Sequence, residues 1–286
     1  MKTRKFKQVD VFTDTPYQGN PVAVVFGADD LSGQEMQRFA RWTNLSETTF
    51  LLAPTHAQAD YRVRIFTPGV ELPFAGHPTI GTCHAWLEAG GRPRASGSIY
   101  QECGVGLVKL RNTGGRLGFA APPLIRSGDV DESDIARVCN VLRVQRSDIV
   151  AAQWADNGPG WIAVMLEDAA HVLALEPDFS AEAACDAGVV GPHPVGVVGS
   201  TGREEPAIEV RAFFGAGGAA VEDPVTGSLN AALAQWLLRD GHLRSPYVAS
   251  QGTALGRSGR VHIEEVDGEI WVSGDAVTCI DGSVEL

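Results

Sequence analysis

The chain has 286 residues, and with 23 Lys or Arg against 35 Asp or Glu its formal net charge at pH 7 is −12. Nucleic acids and anionic membranes bind basic surfaces, so this charge disfavours both as main partners, while a small acidic substrate held by a local site stays compatible with it. Since domains have roughly 100–200 residues, the length predicts about two domains, and the 44% of hydrophobic residues is typical of a soluble globular protein.

Apolar and polar residues alternate in a way that predicts strands and helices following one another along the first half of the chain. Ser32 and Glu35 form a capping box in front of one helix. A second helix is predicted over residues 78–89, with Pro78 in its first turn and glycines at its end. Strands are predicted over residues 6–13, 21–26, 48–52, 61–66, 106–110 and 116–121.

The Pro-bearing loop APPLIRSGD, residues 121–129, marks the predicted boundary between two domains, residues 1–122 and 123–286. Helices are predicted near 131–142 and at about 227–239. Strands are predicted over residues 148–153, 161–166, 207–214, 260–265 and 269–273, the last of which closes the chain. A final strand that returns to the first domain is an open alternative. The fold class is therefore α+β.

The two halves contain similar segments at an offset close to half of the chain. VRIF at 63–66 corresponds to VRAF at 210–213, and each leads through a Gly-rich loop into a helix with a Trp-Leu pair. We interpret this as a duplicated unit, which predicts two similar lobes with equivalent loops lining a cleft. Chance similarity between two amphipathic segments is the alternative.

Two helix entrances are candidate sites for an anion. The loop GHPT begins at Gly76, and the loop DPVTGS, residues 223–228, contains Gly227 and ends with the hydroxyl of Ser228. The free N–H groups of a first helical turn and the helix dipole favour an anion, so the two loops together predict a carboxylate-binding site. Ordinary helix caps explain the same spacing equally well.

Glu47 lies in NLSETTF, at the junction of a predicted helix and a strand, and the apolar run from Phe50 follows it. A carboxyl group that loses part of its hydration acquires a raised pKa, which suits proton transfer near neutral pH. A capping or surface glutamate is the plainer alternative. Asp223, in front of Pro224, likewise fits either a catalytic role or a helix cap.

The sequence predicts no metal and no cofactor. The seven histidines do not cluster, and FGAGGAA at 214–220 fits a dinucleotide fingerprint but runs into Glu222-Asp223-Pro224 instead of a helix. The five cysteines form no C-x-x-C pair, which favours a reducing compartment, and Cys103 is interpreted as a small buried hydrophobe. The basic N-terminus lacks the apolar region of a signal peptide, so we expect a cytoplasmic protein.

Five motifs in this order resemble the PhzF-like phenazine-biosynthesis isomerase family: VDVFTDTPYQGNPVAVV, NLSETTFLL, ELPFAGHPTIGT, EDPVTGSLNAAL and QGTALGRSGRVHI. The resemblance extends from about residue 8 to residue 275. It implies the diaminopimelate epimerase-like fold, with two similar α/β lobes that each curl a mixed sheet around a central helix. It also implies a homodimer, because dimers are usual in the family.

The resemblance implies a role for each matching residue. Glu47 corresponds to the general acid/base, His77 and Asp223 to its polar partners, and Gly76, Gly227 and Ser228 to the groups that hold the substrate carboxylate. The implied reaction is a cofactor-independent proton shift in a small unsaturated or hydroxy carboxylic acid, of the trans-2,3-dihydro-3-hydroxyanthranilate isomerase type. The alternatives are an amino- or hydroxy-acid epimerase without catalytic cysteines and a non-catalytic protein that binds a carboxylate metabolite.

Overall fold

A computed structural model of the chain describes residues 1–178, 185–194, 205–214 and 221–286. Contacts divide the chain into two compact units, here called unit 1 (Met1–Ala120 with Ser273–Leu286) and unit 2 (Ala121–Val272). No helix formed by the described residues has both the length and the apolar character that crossing a bilayer requires.

The elements follow one another in a mixed α/β order. The helices are α1 (Gly33–Thr43), α2 (Gly76–Glu88), α3 (Glu132–Leu142), α4 (Ala169–Leu173) and α5 (Gly227–Arg239). The strands are β1 (Thr3–Val11), β2 (Asn20–Val25), β3 (Glu47–Leu52), β4 (Tyr61–Phe66), β5 (Glu71–Leu72), β6 (Ile99–Cys103), β7 (Gly106–Thr113), β8 (Arg116–Ala120), β9 (Arg126–Gly128), β10 (Ala151–Asp156), β11 (Ile162–Met165), β12 (Ala187–Pro192), β13 (Ile208–Phe214), β14 (Val221–Asp223), β15 (Tyr247–Gln251), β16 (Gly259–Val266), β17 (Glu269–Gly274) and β18 (Ala276–Glu285).

Unit 1 contains a mixed sheet. β2 runs antiparallel to β1 and parallel to β3, and β4 runs antiparallel to β3 and β5 and parallel to β6. β7 continues the sheet from β6 to β8 with antiparallel pairings. The last strand, β18, pairs antiparallel with β1, so both ends of the chain belong to unit 1.

Unit 2 repeats this pattern of pairings. β11 runs antiparallel to β10 and parallel to β12, and β13 runs antiparallel to β12 and β14 and parallel to β15. β15 pairs antiparallel with β16, and β10 also pairs with β9. VRIF and VRAF lie in the equivalent strands β4 and β13, so the repeat that the sequence predicts corresponds to equivalent positions in two sheets.

A helix occupies the same place in the chain order of each unit. α2 packs against β1, β2, β3, β8 and β18, and its residues Gly76 to Cys83 are all buried. α5 packs against β10 and β16 and is also mostly buried. A helix that is apolar on all sides must be enclosed by other elements. The predicted α+β fold class, with a mixed sheet and a central helix in each unit, is confirmed.

Both helices end in the same way. Gly90 and Gly241 adopt left-handed φ values of 91° and 74° just after the last turn. Only glycine takes up this conformation without a steric penalty, which is why helices commonly end at such a residue. The predicted capping box of α1 is confirmed as well, because Ser32 Oγ accepts the N–H of Glu35, and Glu35 Oε2 accepts the N–H of Ser32.

Several predictions made from the sequence, about element bounds and the burial of a cysteine, were wrong. α2 begins at Gly76 instead of Pro78, and the strand at 269–273 does not close the chain, because β18 follows it. Cys103 is only partly buried, at the turn between β6 and β7. Residues 215–220, which contain most of the FGAGGAA segment, lie outside the described residues.

Candidate functional site

Glu47 and His77 are brought together inside unit 1. Glu47 is the first residue of β3 and pairs with Val22 of β2, while His77 is the second residue of α2. His77 Nε2 lies 3.3 Å from Glu47 Oε2, and the two side chains are only 5% and 15% exposed. The strand and the helix therefore place a carboxylate and an imidazole against each other with little access to water.

Burial makes this imidazole neutral. Desolvation lowers the pKa of His77 to about 3, and a hydrogen bond to the Pro21 backbone opposes the shift only weakly. Nδ1 lies 3.4 Å from Nδ2 of Asn20, the first residue of β2. No group of the described residues completes a hydrogen bond with Nε2. At neutral pH the ring thus keeps one proton, and its Nε2 side faces Glu47.

The first turn of α2 carries backbone donors that no side chain caps. The residue before the helix is Ala75, whose methyl group accepts no hydrogen bond, and the first two residues of the helix are Gly76 and His77. The N–H groups of a first turn have no acceptor within the helix and carry a partial positive charge. α5 also has no side-chain cap, since Thr226 precedes it without capping it. The residue directly before each helix therefore provides no side-chain cap.

In unit 2, Asp223 ends β14 and is 8% exposed. Its Oδ2 accepts a 2.6 Å hydrogen bond from the hydroxyl of Thr226. The backbone N–H of Thr226 donates to Oε1 of Gln251, which is the last residue of β15. The carboxylate of Asp223 is thus held by a hydroxyl that belongs to a buried polar network.

Gly227 and Ser228 are the first two residues of α5. The Ser228 hydroxyl oxygen accepts a 3.2 Å hydrogen bond from Nε1 of Trp161, and its carbonyl accepts one of 2.8 Å from Nδ2 of Asn157. Trp161 is fully buried, with its ring 4.7 Å from that of Phe214. A rigid aromatic ring thus fixes the start of this helix.

The other histidines lie in separate surroundings. His84 approaches Glu88 and Thr278, while His193 approaches Glu209 and Ser250. Across residues 1–178, 185–194, 205–214 and 221–286, no three His, Cys, Asp or Glu side chains gather into a group that could hold a metal ion.

Sequence reasoning missed four residues that hold the predicted ones in place: Asn20, Trp161, Thr226 and Gln251. Three of them lie in the motifs that carry the family resemblance: Asn20, Thr226 and Gln251. Gln251 carried a second signal, because it is a polar residue at the end of YVAS, in a strand that is buried throughout. A buried amide needs partners for its donors and acceptors, so such a position points to a network.

A family model for phenazine biosynthesis-like proteins matches residues 9–282 of the chain. The chain belongs to this family. The family membership that the motifs indicated is thus confirmed, and the protein is an isomerase of the PhzF type.

Relatives in the family match the chain over nearly its whole length. Antisense-enhancing sequence 1 of Schizosaccharomyces pombe is 37% identical over 304 aligned residues, which cover 99% of each chain. Trans-2,3-dihydro-3-hydroxyanthranilate isomerase of Pseudomonas aeruginosa is 36% identical over 294 residues, again covering 99% of each. The crystal structure of the PhzF-family protein of Bacillus anthracis superimposes with a TM-score of 0.80 at 22% identity and covers 100% of both chains. This last similarity concerns the fold.

Proposed function

We propose that the protein moves a proton within a small unsaturated or hydroxylated carboxylic acid, without a cofactor, in a reaction of the trans-2,3-dihydro-3-hydroxyanthranilate isomerase type. The observation that carries the proposal is the 3.3 Å approach of the Glu47 carboxylate to a buried, neutral His77 at an uncapped helix start. The name of the Pseudomonas aeruginosa relative supports the substrate class.

In this reaction Glu47 accepts a proton from one carbon of the substrate and returns it to another. One C–H bond breaks, one C–H bond forms and the double bond shifts, so that no electrons are gained or lost overall. His77 and Asp223 are the polar partners that position the substrate and handle protons.

The substrate carboxylate is bound by backbone N–H groups at the start of a helix. The candidate donors in unit 1 are the amides around Gly76 in α2, and those in unit 2 are the amides around Gly227 in α5 with the hydroxyl of Ser228. Oriented amides carry partial positive charge, so an anion can be held by a chain whose net charge is −12.

Incubation in deuterium oxide tests the role of Glu47. Wild-type protein is expected to introduce deuterium from solvent into trans-2,3-dihydro-3-hydroxyanthranilate or a related unsaturated acid, as followed by NMR and mass spectrometry. Glu47→Gln keeps the shape of the side chain but removes the base, so exchange should fall by at least about 100-fold. Glu285→Gln is the matched control, since this exposed glutamate of β18 accepts a hydrogen bond from Thr3, which is not a predicted site residue. Turnover in Glu47→Gln equal to that of the control would overturn the role.

Two further measurements on the same protein and substrate separate the alternative functions. Inversion of a single stereocentre, seen by circular dichroism of the substrate pool, would identify an epimerase instead. Thermal stabilisation by the acid with no exchange at all would identify a binding protein. The scattered cysteines also support a cytoplasmic location. The resemblance supports a homodimer, which sedimentation of the purified protein tests.

A further inference from the structure

The amide of Gln251 uses its full hydrogen-bonding capacity inside unit 2. Oε1 accepts the backbone N–H of Thr226 at 3.0 Å and Nδ2 of Asn230 at 2.8 Å. Nε2 donates to the backbone carbonyl of Asp223 at 3.1 Å and to Thr226 Oγ1 at 3.0 Å. Gln251 and Asn230 are each 1% exposed. An amide has two donors and two acceptor positions, so this side chain has every partner it can take.

Two of these partners fix the orientation of the amide. A backbone N–H can only donate and a backbone carbonyl can only accept. If the amide were rotated by half a turn, Nε2 would face the N–H of Thr226 and Oε1 would face the carbonyl of Asp223, which breaks both bonds. The assignment of oxygen and nitrogen in Gln251 therefore has one solution, although amide ends are often ambiguous.

This orientation decides where the Thr226 hydroxyl proton lies. Oγ1 of Thr226 accepts a hydrogen bond from Nε2 of Gln251. Its own proton then points to Oδ2 of Asp223, 2.6 Å away. A hydrogen bond to a carboxylate stabilises the charged form and fixes the plane of the group.

Unit 1 contains a matching amide without a carboxylate. Gln101 of β6 is fully buried and donates to Oγ1 of Thr79, the fourth residue of α2, while its Oε1 accepts the hydroxyl of Tyr61. Asn230, which contacts Gln251, is likewise the fourth residue of its helix. The contact between a strand glutamine and a helix start is thus common to both units, whereas the connection to an aspartate is found in unit 2.

We propose that Gln251 is a positioning residue, which directs the Thr226 hydroxyl at Asp223 and so holds that carboxylate ionised and in one orientation. Its importance for catalysis rests on the proposed function, in which Asp223 is a proton-handling partner. The hydrogen-bond relay itself exists whether or not the protein turns over the proposed substrate.

The relay is tested without substrate, so that its failure and the failure of the proposed function are distinguishable. The full-length protein is labelled with ¹³C at the aspartate carboxyl carbons, Asp223 is assigned with Asp223→Asn, and its titration is followed by NMR. In Thr226→Val the carboxylate loses the hydroxyl donor of Thr226 while the side-chain shape is kept, so the titration midpoint should move to higher pH. Thr226→Ser should return it towards the wild-type value.

Gln251→Glu removes the donor that orients the hydroxyl and keeps the side-chain size, so the midpoint should again rise. An added carboxylate could also act directly on Asp223, and the double variant separates the two causes. If Gln251 acts through Thr226, adding Gln251→Glu to Thr226→Val should produce no further shift. Gln101→Glu, the matched change in unit 1, should leave the Asp223 midpoint unchanged.

Two results would overturn the proposal. One is an unchanged Asp223 midpoint in folded Thr226→Val. The other is an equal shift from Gln251→Glu in the wild-type and Thr226→Val proteins, which would show that the two side chains act independently. Should Gln251→Glu fail to fold, the comparison of Thr226→Val with Thr226→Ser still decides whether the hydroxyl holds the carboxylate.

Discussion

His77 Nε2 lies 3.3 Å from Glu47 Oε2, yet this pair is not an ion pair, because burial lowers the pKa of the imidazole to about 3. A charged imidazole beside the carboxylate would weaken it as a base. A neutral imidazole still offers one N–H and one lone pair. The contact thus places a neutral imidazole beside a carboxylate whose basicity an imidazolium would reduce.

The lowered pKa of His77 predicts a loss of stability in mild acid. Below about pH 6.5 the unfolded chain protonates this histidine while the folded protein does not, so stability is fully present above that pH and falls as the pH approaches about 3. The slope from this one group is at most about 1.4 kcal/mol per pH unit. Denaturant midpoints of wild type and His77→Asn, measured between pH 7 and pH 4.5, should therefore converge as the pH falls.

His171→Asn is the control for this experiment. His171 is exposed, and Asp168 raises its pKa, so any stability that it contributes is present at low pH and is lost as the pH rises. This control should therefore keep the acid-side loss of the wild type. If wild type and His77→Asn lose stability in parallel as the pH falls, His77 is not neutral in the folded protein.

Trp161→Phe is expected to weaken substrate binding. The ring remains against Phe214, but Ser228 Oγ loses the donor at 3.2 Å that holds the start of α5. A neutral hydrogen bond contributes about 1 kcal/mol, so KM for the proposed substrate should rise roughly fivefold.

Trp236→Phe is the matched control for Trp161→Phe. Trp236 is also buried, in α5, but its ring contacts His242 instead of a predicted site residue. Both variants should lose some thermal stability through the smaller side chain. An equal rise of KM in both would show that the effect is one of packing and not of the Ser228 contact.

The parts of the fold that the sequence predicted best are those in which one periodicity dominates. β4 and α5 match their predicted ranges, 61–66 and 227–239, because apolar residues recur there at the spacing of a strand and of a helix. β12 and β15 were missed. β12 contains glycines, and the polar Ser250 and Gln251 of β15 are buried, so neither strand has an alternating pattern.

The candidate site was predictable only in part for a related reason. Gly76, His77, Gly227 and Ser228 are marked by helix-start chemistry that is local in sequence. The contact of Glu47 with His77 joins residues that are far apart in the chain, and only the family resemblance suggested it. The role of Gln251 cannot be predicted from a local pattern either, because its contacts with Asp223 and Asn230 depend on the pairing of β13 with β15.

The repeat supplies two arginine–glutamate pairs that differ in exposure, and Arg211 also donates through Nη1 to the carbonyls of Val172 and Leu175. Arg211 of β13 binds Glu222 of β14 at 2.7 and 2.9 Å, with side chains 5% and 9% exposed. Arg64 of β4 binds Glu71 of β5 at 2.7 Å through both contacts, with side chains 33% and 42% exposed. The two pairs thus have the same bidentate geometry on equivalent strands.

Glu222→Gln should therefore destabilise unit 2 by about 3 kcal/mol, because it leaves the Arg211 charge buried without its counterion. Glu71→Gln should cost unit 1 less than about 1 kcal/mol, since water solvates the exposed Arg64. Native-state hydrogen exchange of the amides in β13 and β4 measures the two effects separately. Adding Arg211→Met to Glu222→Gln should recover part of the loss, because the uncompensated charge is then gone. Equal losses from the two single substitutions would show that burial does not set the strength of these pairs.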